Sequence, residues 1–401
     1  MPNRQGPPQL PKDNPVLQSD VLRVAVNVEQ LMLPSPGGVG RYTAKLVSNL
    51  VALGVDVHTV VARHTPGEVR SAWAEFDLGS VPEPTVLPLP RAALYDSWHL
   101  LDWPALSRRA GIDVLHAPSL AVPPKNGKPL VVSVHDAAPW LFPASFPLRG
   151  RWFHHAGMRA ASRRADRILT GTEAAASELR AHTSLPAERL RVIPYGVDHP
   201  HQEPDPEKVW MVLRRYDLDD QPYVLWVGSL EPRKGLGTLL SAAVKLTQRG
   251  SSPTLVLAGY AGWRNEHLIT PQDRALLGPA LREVGRVGEA DLQALYAGAS
   301  VFAFPSLHEG FGLPVLEAMV AGVPVVASDI PALREVAGDA AVLVPPNNSD
   351  AWVEALSRVL ESPSLQGELA GAGRRRAAFF SWKRTAEATL AVYEEVAAEQ
   401  S

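Results

Sequence analysis

Residues 301–328 read VFAFPSLHEGFGLPVLEAMVAGVPVVAS, and they divide into strand, loop, helix and strand. Val301 to Phe304 is a short apolar run suited to a buried strand, and Ser306 to Gly312 is loop chemistry. Pro314 fits the first turn of a helix from Leu313 to Val320, after which PVVAS resumes a strand. The unit has the grammar of a parallel sheet covered by helices, an α/β fold. It also holds two carboxylates, Glu309 on the loop and Glu317 on the first or second helical turn. Backbone N–H groups around Gly312 and Leu313 point out of the helix start and suit phosphate. Carboxylates beside them suit hydroxyl donors instead. A ligand with both a diphosphate and sugar hydroxyls is a nucleotide sugar.

The same alternation extends in both directions. From Val21 the chain reads LRVAVNV, a loop to Gly40, a helix RYTAKLVSNLVAL and a strand VDVHTVVA. Further strands are expected at 113–117, 129–136, 166–172 and 189–196. A polar, Pro-rich stretch, HPHQEPDPEK, then precedes a second series that starts with YVLWVG and continues through TLVLAG and LREVGRV. The expected organisation is a disordered tail at 1–20, a first domain at 21–200, a linker at 201–220 and a second domain at 221–380. Residues 381–401 form a last amphipathic helix that docks back across to the first domain. No fixed-period repeat links the halves.

Composition narrows the function. A length of 401 residues exceeds what one core usually supports. A net charge of -3 gives no electrostatic footprint for nucleic acid. With no cysteine, disulfides, thiolate nucleophiles and Cys-ligated zinc are excluded. The opening residues lack the apolar run of a signal peptide, and no segment reads as a membrane span, so the cytoplasm is the expected location.

Several other segments carry candidate chemistry. After YVLWVG come Ser229, Leu230, Glu231, Pro232, Arg233, Lys234 and Gly235, which place two cations at a strand's C-terminal end. An isolated Arg–Lys pair reads as a solvated turn, but open α/β sheets bind ligands at this position, which favours a diphosphate site. Gly37, Gly38 and Gly40 stand too far beyond the first strand for a dinucleotide fingerprint, and Asp56 is misplaced for a ribose. They are expected to form a mobile loop closing over a phosphate or an acceptor. His135 and Asp136 end a strand, where the histidine could meet a sugar in the crevice or, taken alone, be hydrogen-bonded inside a loop, and His116 ends the preceding strand. With no third ligand at recognisable spacing, these histidines do not make a metal site. Asp217-Leu218-Asp219 matches a metal-binding Asp-x-Asp, but its place in the linker argues against that role. The Arg-rich run 149–167 reads as a solvated helix face.

Taken in order, GGVGRYT, VVSVHDAAPW, VIPYGVD, VLWVGSLEPRKG and HEGFGLPVLEA resemble the retaining glycosyltransferases of family 4, covering about residues 21–390. The resemblance implies a GT-B fold, two Rossmann-like domains facing each other across a cleft. It implies that Glu309 binds donor sugar hydroxyls, Glu317 binds the ribose, and Arg233 and Lys234 hold the diphosphate. His135 would lie beside the transferred sugar, and Gly310, Phe311, Gly312 and Leu313 would line the donor. Val287 and Glu289 resemble the region holding the base, with Ser229, Gly38 and Gly40 also on the donor side. Arg41, Tyr42, His116 and Asp136 are candidates for the acceptor side. No metal or other cofactor is expected, since Arg233, Lys234 and the helix start can stabilise the leaving diphosphate.

The sugar expected from the mannosyl-like segments is mannose from GDP-mannose, with UDP-glucose second. Glu289 could accept from guanine's N1–H and exocyclic amine. The acceptor is expected to be an oligosaccharide or a polar glycoconjugate. A non-catalytic nucleotide-sugar binder and a nucleotide-sugar epimerase are the competing classes, and released nucleoside diphosphate separates them from a transferase.

Overall fold

The computed structural model describes residues 21–106, 111–199, 205–219, 221–251, 253–261 and 268–400. The tail expected at 1–20 lies outside them. Two all-parallel sheets form the frame. The first contains β1 (Arg23–Asn27), β2 (Asp56–Val61), β3 (Thr85–Val86), β4 (Val114–Ala117), β5 (Leu130–Ser133), β6 (Arg167–Thr170) and β7 (Leu190–Val192), in the spatial order β3-β2-β1-β4-β5-β6-β7. The second contains β8 (Tyr223–Leu230), β9 (Thr254–Ala261), β10 (Leu281–Gly285), β11 (Val301–Phe304), β12 (Val325–Ser328) and β13 (Val342–Val344), ordered β10-β9-β8-β11-β12-β13. Every residue of β4, β5, β11 and β12 is buried, as expected where helices cover both faces of a parallel sheet.

In each sheet the chain steps outward from the first strand and then returns to its other side, at β1/β4 and at β8/β11. These reversals open a crevice at the strands' C-terminal ends. The loops there carry most of the residues singled out from the sequence. An apolar seam joins the lobes: Tyr195 packs on Phe311 with ring centres 4.7 Å apart, and Phe311 meets Phe380 at 5.9 Å. The helix Trp382–Ala398 crosses back as expected and lies against the helix Gly37–Ala52. Thr385 donates to Pro194 O at 2.8 Å, and Arg167 of the first lobe pairs with Glu395 and Glu399.

Two features depart from expectation. Residues 206–215, inside the expected linker, form the helix Pro206–Arg215, capped by Asp205 and packed on the helix Glu289–Gly298. Arg215 and Tyr216, which ends the helix, both bond Asp291. The glycines expected in a mobile loop instead form the first turn of the helix Gly37–Ala52. Gly40 N–H donates to Pro36 O at 3.0 Å, and a β-carbon at Gly40 would fall 2.3 Å from Pro36 Cβ. Glycine serves here for close packing of the turn. Among the described residues, no helix is long and apolar enough to cross a membrane.

Candidate active site

Arg233 and Lys234 follow β8 in a single 3-10 turn, Pro232–Lys234. Gly235 ends the turn at φ 66°, and a β-carbon there would lie 1.9 Å from Pro305 O. That close approach presses the turn onto the loop after β11 and brings the cations to Glu309. Lys234 Nζ donates to Glu309 Oε1 at 2.6 Å, while Arg233 Nη1 lies 3.9 Å from Glu309 Oε2. Burial alone would raise the Glu309 pKa, but Lys234 and Arg233 outweigh it and hold the carboxyl below its ordinary value. Lys234 is pulled down by burial, against the attraction of Glu309. Glu231 orders the turn by accepting from Ser229 Oγ at 2.7 Å and Arg233 Nε at 3.0 Å. Ser229 therefore supports the cationic turn through Glu231.

The helix Leu313–Val320 begins after Gly312 at φ 102° and places Glu317 on its second turn. Glu317 is 9% exposed, and its Oε2 accepts from Tyr296 OH at 3.0 Å. Across the cleft, the Gly turn of the first lobe faces this helix start: a β-carbon on Gly38 would touch Leu313 Cδ1 at 3.9 Å. Gly310 is closer still, since a β-carbon there would stand 2.1 Å from His135 O. Thr172 Oγ1 donates to Gly310 O at 2.8 Å, fastening the loop to the first lobe.

His135 lies two residues beyond the end of β5. Its Nδ1 lies 2.7 Å from Tyr195 OH and its Nε2 2.8 Å from Pro118 O. Burial lowers its pKa and favours the neutral imidazole. The carbonyl at Pro118 can only accept, so Nε2 carries the proton and Nδ1 accepts from Tyr195. Asp136 accepts from Ala138 N at 2.9 Å; burial would raise its pKa, but Arg233 and His308 prevail and lower it.

Three acceptor-side expectations are corrected. His116 is 0% exposed, with Nδ1 2.6 Å from Tyr393 OH and Nε2 2.9 Å from Ser133 Oγ. Burial drives its pKa down to about 3, so it is a neutral link to the C-terminal helix with no face toward the cleft. Tyr42 is 2% exposed, bonds Ser133 Oγ at 2.9 Å and packs edge-on to His135. It buttresses that histidine from within the core. Arg41 points to the opposite lobe and pairs with both Glu317 and Glu289. Phe311 is 5% exposed, and its ring belongs to the apolar seam. Val287 is half-buried and packs on the core, while Glu289 opens the helix Glu289–Gly298.

Sequence reasoning missed the contacts that fasten the lobes together. His308 Nε2 lies 2.7 Å from Glu178 Oε2, Arg286 bonds Pro34 O and Glu75, and Glu335 accepts from Glu173 N and Ala174 N at a helix start. No local pattern pairs such distant residues. Among the described residues, no group of three or more His, Asp or Glu side chains gathers as a metal site.

Family models agree with this architecture. Residues 36–200 match Glycosyltransferase Family 4, and residues 214–376 match Glycosyl transferases group 1. The chain is 32% identical over 282 residues to the O-antigen chain mannosyltransferase B of Escherichia coli, covering 70% of this chain and 74% of that protein. It is 31% identical over 409 residues to the MMP alpha-(1->4)-mannosyltransferase of Mycolicibacterium hassiacum, covering 90% and 95%. Among solved structures, sucrose-phosphate synthase from Thermosynechococcus elongatus superimposes with a TM-score of 0.72 at 21% identity, over 94% of this chain and all of that one. Anabaena HepE in complex with UDP and glucose gives 0.72 at 18%, over 93% of this chain and all of that one. The chain belongs to glycosyltransferase family 4 and has the GT-B fold.

Proposed function

We propose that this glycosyltransferase moves mannose from GDP-mannose to an oligosaccharide or glycoconjugate acceptor, with retention of anomeric configuration and without a metal. The observation that carries the reading is the buried Lys234–Glu309 contact, with Arg233 beside it, at the mouth of the crevice. As the bond from the anomeric carbon to phosphate breaks, negative charge grows on the diphosphate. Arg233, Lys234 and the N–H groups opening the helix Leu313–Val320 can stabilise that charge. Lys234 has three donors and gives one to Glu309, which leaves others for phosphate oxygens.

Glu309 is held by cations and so is a poor nucleophile, which suits an acceptor of hydrogen bonds from sugar hydroxyls. The acceptor hydroxyl then attacks from the face that the diphosphate leaves, and a departing phosphate oxygen takes its proton. The mannosyl choice draws on the names of the two relatives.

Incubation with GDP-mannose, UDP-glucose and ADP-glucose, with and without chelator, tests the donor and metal together. The expected result is GDP release from GDP-mannose alone, unaffected by chelator. NMR of the new linkage is expected to show an α-mannoside. Release of UDP only, or a β-linked product, overturns the reading, and binding without release makes the chain a nucleotide-sugar binder.

A further inference from the structure

The first lobe carries a cation that the proposed chemistry leaves unused. Arg41 follows the Gly turn of the helix Gly37–Ala52 and reaches across the cleft. Its Nη1 donates to Glu317 Oε1 and its Nη2 to Glu289 Oε2. The remaining oxygens are also engaged: Glu317 Oε2 accepts from Tyr296 OH at 3.0 Å, and Glu289 Oε1 from Gln293 Nε2 at 2.9 Å. Arg41 and Glu317 line one small cavity together with Gln293, Leu313, Val320 and Trp382.

We propose that Arg41 is a latch in the nucleoside subsite, seated on the carboxylate that would take the ribose hydroxyls and displaced when a nucleoside diphosphate binds. The inference rests on the nucleotide-sugar reading above. The guanidinium is bonded to Glu317 Oε1 while Tyr296 holds Oε2, so a ribose hydroxyl approaching Oε1 competes with it. Both carboxylates lie in the second lobe and the guanidinium in the first, so the latch also ties the lobes together. Glu317 raises the Arg41 pKa, with Glu289 adding to it against burial, so Arg41 does not release the latch by losing its proton at any ordinary pH. Release requires a competing ligand or opening of the lobes. A protein whose binding-competent form is only a fraction of the population binds its ligand more weakly by that fraction. Arg41 therefore lowers apparent nucleotide affinity and sets the threshold at which donor enters the site.

Calorimetric titration of GDP and UDP into the wild-type chain and into Arg41→Ala tests this. The expected result is binding about tenfold tighter in the variant, with a lower melting temperature for the free protein and a larger rise in it on adding nucleotide. A merely structural arginine would leave affinity unchanged or weaken it. Unchanged or weaker binding overturns the latch, weaker binding meaning that Arg41 contacts the donor itself. Should Arg41→Ala fail to fold, Arg41→Gln keeps the inner part of the side chain without its charge or its reach to Glu317 and carries the same expectation. Wild-type protein that binds no nucleotide at all is a different result, and it removes the proposed function instead.

Discussion

At one end of the crevice, Arg233, Lys234 and Glu309 all come from the second lobe and are 9–16% exposed. At the other end, Glu317 and Glu289 meet a cation supplied by the first lobe, and exposure there runs from 9% to 57%. The first cluster is preorganised: it is complete without any movement of the lobes, and burial keeps water from weakening its field. The second exists only while the lobes touch. On the proposed reading, the diphosphate end would rest on second-lobe groups alone, while the nucleoside end would depend on contact between the lobes.

Substitutions at the two ends should therefore fail differently. The largest effect is expected for Arg233→Ala, a loss of roughly 10²–10³ in turnover, or about 3–4 kcal/mol of transition-state stabilisation. Steady-state release of nucleoside diphosphate measures it. Near-normal turnover would break the assignment of the second-lobe cluster to the leaving group.

A pair of glycine substitutions separates the lobes' interior from their contact. In Gly235→Ala the new methyl meets Pro305 O at 1.9 Å within the second lobe, on a backbone at φ 66°. That variant should lose roughly 2–4 kcal/mol of stability, seen in chemical denaturation. In Gly310→Ala the methyl meets His135 O at 2.1 Å across the crevice. The lobes can yield by parting, so it should keep most of its stability and lose on the order of tenfold in activity. Equal destabilisation of both would mean that the lobes behave as one rigid body.

The smallest effect concerns pH. Burial pulls the His308 pKa down, but Glu178, Asp136 and Glu309 outweigh it and raise it above its ordinary value. The contact of His308 with Glu178 across the lobes thus adds stability that is present below the unfolded pKa of about 6.5 and is lost as pH rises through the raised native value. Thermal melts of wild type and Glu178→Gln should differ most at low pH, by at most ~1 kcal/mol, and converge at high pH. A gap that widens with pH would contradict the assignment.

Much of the second-lobe cluster was legible in the sequence because its parts sit on neighbouring segments with fixed strand-to-helix grammar. Arg233 and Lys234 follow one apolar run, and Glu309 follows another. Strands β8 and β11 pair side by side, so both loops emerge at one edge. His116 and Tyr42 misled for a related reason: a strand end or a helix face can be read from pattern, but Ser133 on the neighbouring strand and Tyr393 from the far end of the chain absorb His116's polar atoms. Likewise, Arg41 looked like a residue for an acceptor until its length and direction placed it on Glu317.

Order along the chain determined the class of fold, the two sheets and the position of the cationic turn. These depend on apolar period, turn residues and strand adjacency, which are local properties. The tertiary structure alone decided which polar groups face the crevice, which are spent inside the core, and which reach across from lobe to lobe. Those outcomes depend on distances between residues up to 277 positions apart, as between His116 and Tyr393, and no local pattern encodes them.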